Sequence, residues 1–204
     1  MSEEYTAEQL AELMQNPPQI GLDRLTLIVT GSINAALVPY WLNWFRNAYP
    51  AVLVNVIITS TAERFVTFNA LKHLANGEVW RDSWDEPRLP GGSHMGFDDL
   101  TAGFGVFPST LDYAMRLASG RSDSPSLMAL QLSDKPIAIA ASFPGVNPLL
   151  SENLNKLELR KNIAFTGNVS AYSVGRKDWS GQTGFFMPLL MQALADLISK
   201  RASA

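Results

Sequence analysis

Cysteine is absent from the 204 residues. Its absence removes disulfides, thiolate metal sites, iron–sulfur clusters and cysteine nucleophiles together, so any redox step has to come from a cofactor. Histidine is scarce: His73 and His94 are the only two, and neither stands in a His-x-x-x-His pattern or beside a carboxylate-rich cluster. That speaks against a catalytic metal site. Charge is sparse as well, with a formal net value of −3 and 16 Lys and Arg scattered rather than gathered into a stripe. Nucleic acid drops out as a partner. No apolar run approaches the ~20 residues that span a bilayer, and Met1-Ser2-Glu3-Glu4 lacks the basic start of a signal peptide. A soluble, cytoplasmic protein without a membrane partner is the expectation. G-x-G-x-x-G and a Walker lysine are also missing, which disfavours nicotinamide dinucleotides and P-loop chemistry.

What is plentiful is apolar and aromatic. The chain is 47% hydrophobic with five Trp and ten Phe, enough for one buried α/β domain with apolar surface left over to be covered between subunits. Thr6 and Gln9 make a capping box ahead of Leu10, Leu13 and Met14, so residues 1–20 read as an N-terminal helical extension ended by Asn16-Pro17-Pro18.

The organising stretch is Leu25-Thr26-Leu27-Ile28-Val29-Thr30-Gly31-Ser32. A short β-branched run buried on both faces stops at a glycine and a hydroxyl residue, and a helical pattern follows from Ala35 to Ala48, with Pro39 in its first turn or kinking it. The free N–H groups of a helix start lie beyond such a strand end, and Gly31 lets an anion approach them, so Gly31-Ser32 is a candidate phosphate cradle. The same residues also read as a plain turn without a ligand.

The pattern repeats along the chain. Val52 to Thr59 is a second buried strand with hydroxyls at Thr59, Ser60 and Thr61 before a helix over 62–74. Glu78-Val79-Trp80 reads as a short edge strand, and 81–92 as a loop leading to Ser93-His94 and a short helix over 97–102. His94 is placed near the rim by this reading, as a functional or a structural histidine. Phe104 to Phe107 is a strand running into Pro108-Ser109-Thr110 and a helix over 111–119. A helical piece over 126–132 follows, then a strand over 136–142. That strand enters Phe143-Pro144-Gly145-Val146-Asn147-Pro148, where two prolines bracket an amide able to give and accept hydrogen bonds. Ile163 to Phe165 is the last strand. Residues 167–184 are glycine- and serine-rich without periodicity and read as a mobile flap, and 186–200 as a closing amphipathic helix. Strands alternating with helices argue for an open, mainly parallel sheet with helices on both faces in a single domain. Ligands of such sheets sit beyond the carboxyl ends of the strands, where Gly31-Ser32, Thr59 to Thr61, Pro108 to Thr110 and Pro144 to Asn147 would converge.

In their order and spacing, Thr30-Gly31-Ser32, Thr59-x-x-Ala62-x-x-Phe65, His94 in a Ser-His-Met context, Pro108-Ser109-Thr110-Leu111-Asp112 and Pro144-Gly145-Val146-Asn147 resemble the homo-oligomeric flavin-containing cysteine decarboxylases. The likeness runs from about Leu25 to Asn155. It implies a Rossmann-like subunit over 21–204, FMN (or FAD on the same phosphate cradle), and a homotrimer or homododecamer with the flavin at the subunit interface. By the same resemblance Gly31, Ser32, Ile33, Thr59, Thr61, Phe65, Pro108, Ser109 and Thr110 are cofactor residues. His94 is the active-site histidine, and Asn147 contacts the substrate carboxylate, with Asp112, Val146 and Tyr172 also toward the substrate. Asp112 replaces a usual asparagine and Val146 a usual methionine. A chain without cysteine is more similar to the peptidyl-cysteine branch, which stops at the oxidised product. That branch converts the C-terminal cysteine of a ribosomally made precursor peptide, as in lantibiotic biosynthesis, to an aminoenethiol. The alternatives are a phosphopantothenoylcysteine decarboxylase-like or flavin prenyltransferase-like enzyme, or a flavin-binding regulatory subunit without catalysis.

Overall fold

In the computed structural model, which describes residues 5–87, 95–143, 147–173 and 175–202, the centre is β1 (Arg24–Val29), buried at every position after Arg24. It pairs in parallel with β2 (Leu53–Ile58) on one side and with β4 (Gly103–Ser109) on the other. β3 (Val79–Arg81) extends the sheet beyond β2, and β5 (Ile137–Ala141) and β6 (Ile163–Phe165) extend it beyond β4, all in parallel. The strand order β3-β2-β1-β4-β5-β6 reverses direction between β1 and β4, the position where open parallel sheets form a crevice for ligands.

Two-residue periodicity divides the core. Leu25, Leu27 and Val29 of β1 and Val54, Val56 and Ile58 of β2 face a layer built from α2 (Val38–Ala48), α3 (Phe68–Leu74) and α8 (Met187–Ala202). Ile28, Ile57, Phe104 and Val106 face the opposite layer, which holds α4 (Met95–Asp99), α5 (Leu111–Ala118), α6 (Pro125–Leu132) and α7 (Pro148–Glu158). Burial on both faces is why these strands read as unbroken apolar runs. At the amino end α1 (Ala7–Gln15) carries the capping box, with Thr6 and Gln9 bonded reciprocally, and Tyr5 N–H donates to Asn168 O at 3.1 Å. No described helix is long and apolar enough to cross a membrane.

Four elements differ from the sequence reading. The first long helix begins as a 3₁₀ turn, Ile33–Leu37, and Pro39 occupies the first turn of α2. The expected helix over 62–74 is broken: a 3₁₀ turn, Ala62–Arg64, precedes α3, which Thr67 starts afresh by accepting from Ala70 N–H at 3.1 Å. α7 fills a segment to which the sequence reading assigned no element, with Asn147 as its N-cap and Pro148 at its first position. Residues 167–184 contain an antiparallel hairpin of β7 (Val169–Ser173) and β8 (Asp178–Thr183). Among its strand residues Val169 alone is buried, so no apolar alternation announced it.

Two phenols are locked into this core. Tyr49 donates to Pro18 O at 2.8 Å, and burial pushes its pKa well up. Tyr113 is fully enclosed against Ser126 Oγ at 2.7 Å; burial first, then the nearby Asp82 carboxylate, raises it. A phenol raised in the folded state leaves stability intact below its ordinary value of about 10 and lowers it above, because the unfolded chain ionises first. Two of the five tyrosines are therefore expected to ionise only as the chain unfolds, which an ultraviolet tyrosinate titration run beside circular dichroism checks.

Candidate functional site

The rim at the β1/β4 reversal is held by side chains that the strand ends deliver. Thr30, just past β1 and 2% exposed, donates through Oγ1 to Pro108 O at 2.8 Å and accepts from Thr110 N–H at 2.9 Å. Its own N–H reaches Pro108 O at 3.3 Å. The turn after β1 is thereby fixed to the turn after β4. On the β2 side, Thr59 Oγ1 donates to Val29 O at 3.2 Å and lies 3.2 Å from Thr61 Oγ1. Gly31 sits directly against this pair: a Cβ there would lie 2.5 Å from both Cβ and Oγ1 of Thr61. On the β5 side, Ser32 Oγ is 2.8 Å from Ser142 Oγ, and Asn34 Nδ2 donates to Ser142 Oγ at 2.8 Å. Four strand ends are thus gathered on one turn.

On the α5 side of the reversal lies a cleft of about 250 Å³ whose lining includes Thr30, Thr59, Thr61, Thr110, Asp112 and Arg116. Arg116 is bound to Asp123 at 2.6 Å and to Asp112 at 3.7 Å. Its hydrogen bond holds the Asp123 carboxyl below the usual carboxylate range. With its one central cation matched by two carboxylates, this end of the rim has little positive charge to offer an anion. Among the described residues the hydroxyls around Gly31 and Ser32 bond no carboxylate, while the Ser32 N–H is taken by Thr30 O at 2.8 Å.

The structure brings Gly31, Ser32, Thr59, Thr61 and Thr110 together on this rim. Ile33 and Phe65 are exposed, 59% and 42%. Two of the expected cofactor residues are buried at the end of β4. Ser109 is 0% exposed because β4 continues through it and pairs it with Ala141, so the strand alternation turns its side chain inward. Pro108 is buried and its carbonyl is taken by Thr30. Both brace the rim from behind. Asp112 caps the cleft through its ion pair with Arg116. Asn147 is exposed, but its Oδ1 accepts from Leu150 N–H at 3.0 Å as the cap of α7. The amide expected to give and accept therefore has its Nδ2 donor left for a ligand.

Tyr172 is 49% exposed on β7 and meets Trp179 of β8, 73% exposed, edge to face at 5.8 Å. The hairpin is rooted on the end of β5, where Thr183 Oγ1 and Gly184 N–H donate to Ala141 O at 3.1 and 2.7 Å. His94 and Val146 lie outside the described residues. Sequence reasoning missed Asn34 and Ser142; the rule that found hydroxyls at the other strand ends would have flagged Ser142 at the end of β5.

The profile of the Flavoprotein family matches residues 14–178. A cypemycin cysteine dehydrogenase (decarboxylating) from a Streptomyces species is 48% identical over 160 residues, 78% of this chain and 84% of that protein. Of solved structures, the cypemycin decarboxylase CypD superposes with a TM-score of 0.79 at 43% identity, covering 91% of this chain and 98% of its own. The FMN-dependent cysteine decarboxylase SpaF superposes with a TM-score of 0.69 at 18% identity, covering 86% and 97%, and shares the fold.

Proposed function

The chain belongs to the Flavoprotein family, and from that premise we propose that it is a flavin-dependent enzyme that oxidatively decarboxylates the C-terminal cysteine of a ribosomally made precursor peptide. The observation that carries this reading is the likeness, along most of both chains, to a decarboxylating cysteine dehydrogenase. The rim fits a flavin phosphate: at Gly31 the backbone is bare against Thr61, and Ser32, Thr59 and Thr61 supply hydroxyls with no carboxylate bonded to them. FMN is the proposed form.

When bound, the flavin supplies a two-electron acceptor for the cysteine side chain. Thr110 would lie along it, held in register by Thr30. His94 takes the thiol proton. Asn147 Nδ2 donates to the carboxylate that departs as carbon dioxide and so orients it. Tyr172 and Trp179 cover the peptide from the hairpin and exclude water. With no cysteine in the chain, no protein thiol is at hand to help return the product to a saturated thiol, so the oxidised aminoenethiol is released.

The same reading puts a homotrimer, or four trimers in a dodecamer, around the flavin. Ile33, Leu37 and Tyr40 support it, being 59%, 53% and 57% exposed in succession beside the rim, an apolar stripe suited to a second copy of the chain. It also places the enzyme in the cytoplasm, where precursor peptides are synthesised.

Mass spectrometry of a cysteine-terminated peptide incubated with the flavin-loaded protein tests the activity. A loss of about 46 Da, carbon dioxide plus two hydrogens, is expected; an unchanged peptide rejects the reading. Asn147→Asp separates the two roles of that residue. A carboxylate still caps α7, so the melting temperature is expected to hold. Yet it loses the donor and faces the substrate with like charge, and turnover is expected to fall about 10²-fold with the flavin retained.

A further inference from the structure

Among the described residues β7 and β8 pair only with each other, and Val169 is their one buried strand residue. A two-stranded hairpin with so little core is marginally stable by itself, so its placement is set at its two stems. The returning stem is firmly held. Thr183 Oγ1 and Gly184 N–H both donate to Ala141 O, and Phe185 stacks on Phe107 of β4 with ring centroids 4.2 Å apart. The outgoing stem leaves β6 at Thr166, whose N–H donates to Ile139 O at 3.0 Å. A side-chain bond then ties stem to stem: Thr166 Oγ1 donates to Gly184 O at 3.1 Å. Thr166 is 3% exposed, so a carbonyl that lost this hydroxyl would not find water in its place. Gly184 belongs to the same device. Its backbone is not in the left-handed region, yet a Cβ there would stand 2.1 Å from Thr166 Oγ1 and 3.0 Å from Ala141 N. The glycine leaves the space that the hydroxyl fills.

We infer that Thr166 is a positioning residue for the substrate peptide, acting through Gly184 to hold β7 and β8 where Tyr172 and Trp179 meet that peptide; the inference rests on the peptide reading above. A cover fixed at its root binds without first having to be ordered. A loosened one is competent for only part of the time, and apparent affinity falls by that fraction. Because Asn147 and the flavin lie outside the hairpin, the loss falls on KM rather than on kcat.

Thr166→Val keeps the shape of the side chain and removes the donor, and it is tested in the flavin-loaded, full-length chain with a short peptide ending in cysteine. KM is expected to rise about five- to tenfold, with kcat and flavin content held. Tryptic cleavage after Arg176 and Lys177, both exposed between β7 and β8, is expected to quicken. Thr166→Ser is expected to restore KM and the slow cleavage. Gly184→Ala, which displaces the hydroxyl instead of deleting it, is expected to raise KM in the same way. A fall in kcat or in flavin content with KM unchanged would mean a structural role alone and would overturn the inference, as would faster cleavage at wild-type KM or no change in either. Those outcomes leave the peptide reading standing. A wild-type chain that leaves the peptide unchanged overturns that reading and this inference with it.

Discussion

A Gly31→Val chain is expected to fold and to emerge from purification colourless. Even the first carbon of a side chain at this position would come within 2.5 Å of Thr61 Cβ and Oγ1 and 3.0 Å of its carbonyl carbon. None of these atoms is the far end of a flexible chain. Thr61 is short and branched at Cβ, and it lies 3.2 Å from Thr59 Oγ1, which is itself bonded to Val29 O. Relief therefore requires the β2 turn to move away from the β1 turn, which opens the gap that the phosphate is proposed to fill. Valine adds two methyl groups to that collision. The strands themselves are little involved, because the Leu25 to Val29 core lies below the rim and Gly31 is only half-buried. The far-ultraviolet spectrum is expected to match the wild type while flavin affinity falls at least about 10²-fold, the scale of losing two charge-assisted hydrogen bonds. Wild-type flavin content in this variant would remove the turn after β1 from the cofactor site.

The parts of the site that could be read from sequence are those where a strand ends abruptly at a hydroxyl. Ser32, Thr59, Thr61 and Thr110 each follow a β-branched or aromatic run and precede a helix start, so strand period and capping chemistry agree on their position. β4 does not stop at Phe107 as the sequence suggested: pairing of Ser109 with Ala141 carries the strand two residues further, and one pleat decides which way a hydroxyl faces. Asn147 and α7 were hidden by proline. Pro144 and Pro148 suggested a rigid loop, yet proline after an asparagine also suits the first position of a helix, and α7 begins there. The break at Thr67 follows the same competition, since a good N-cap inside an apolar run can restart a helix. The hairpin escaped because its two faces are largely exposed. Asn34 and Ser142 are 108 residues apart in the chain and become neighbours only when β1 and β5 are set in the sheet, a long-range fact that no local pattern encodes.

His94→Asn is expected to give a yellow protein that has lost decarboxylation by about 10²- to 10⁴-fold. The argument is chemical and comes from the composition. With no cysteine and two histidines in the chain, few groups can take a thiol proton near neutral pH. His73 is exposed on the last turn of α3, away from the rim that gathers the strand ends. A base must be neutral to act, so wild-type turnover is expected to rise with pH as the imidazole loses its proton, and then level off. Asparagine keeps a planar hydrogen-bonding side chain of similar reach but has no basic nitrogen, so flavin and peptide binding are expected to persist while that acid limb disappears. His73→Asn, as the matched control, is expected to retain both the rate and the limb. Wild-type turnover by His94→Asn would assign the proton to another group. Loss of the flavin with the activity would instead make His94 part of the cofactor site and leave the base to be sought among the residues around Asn147.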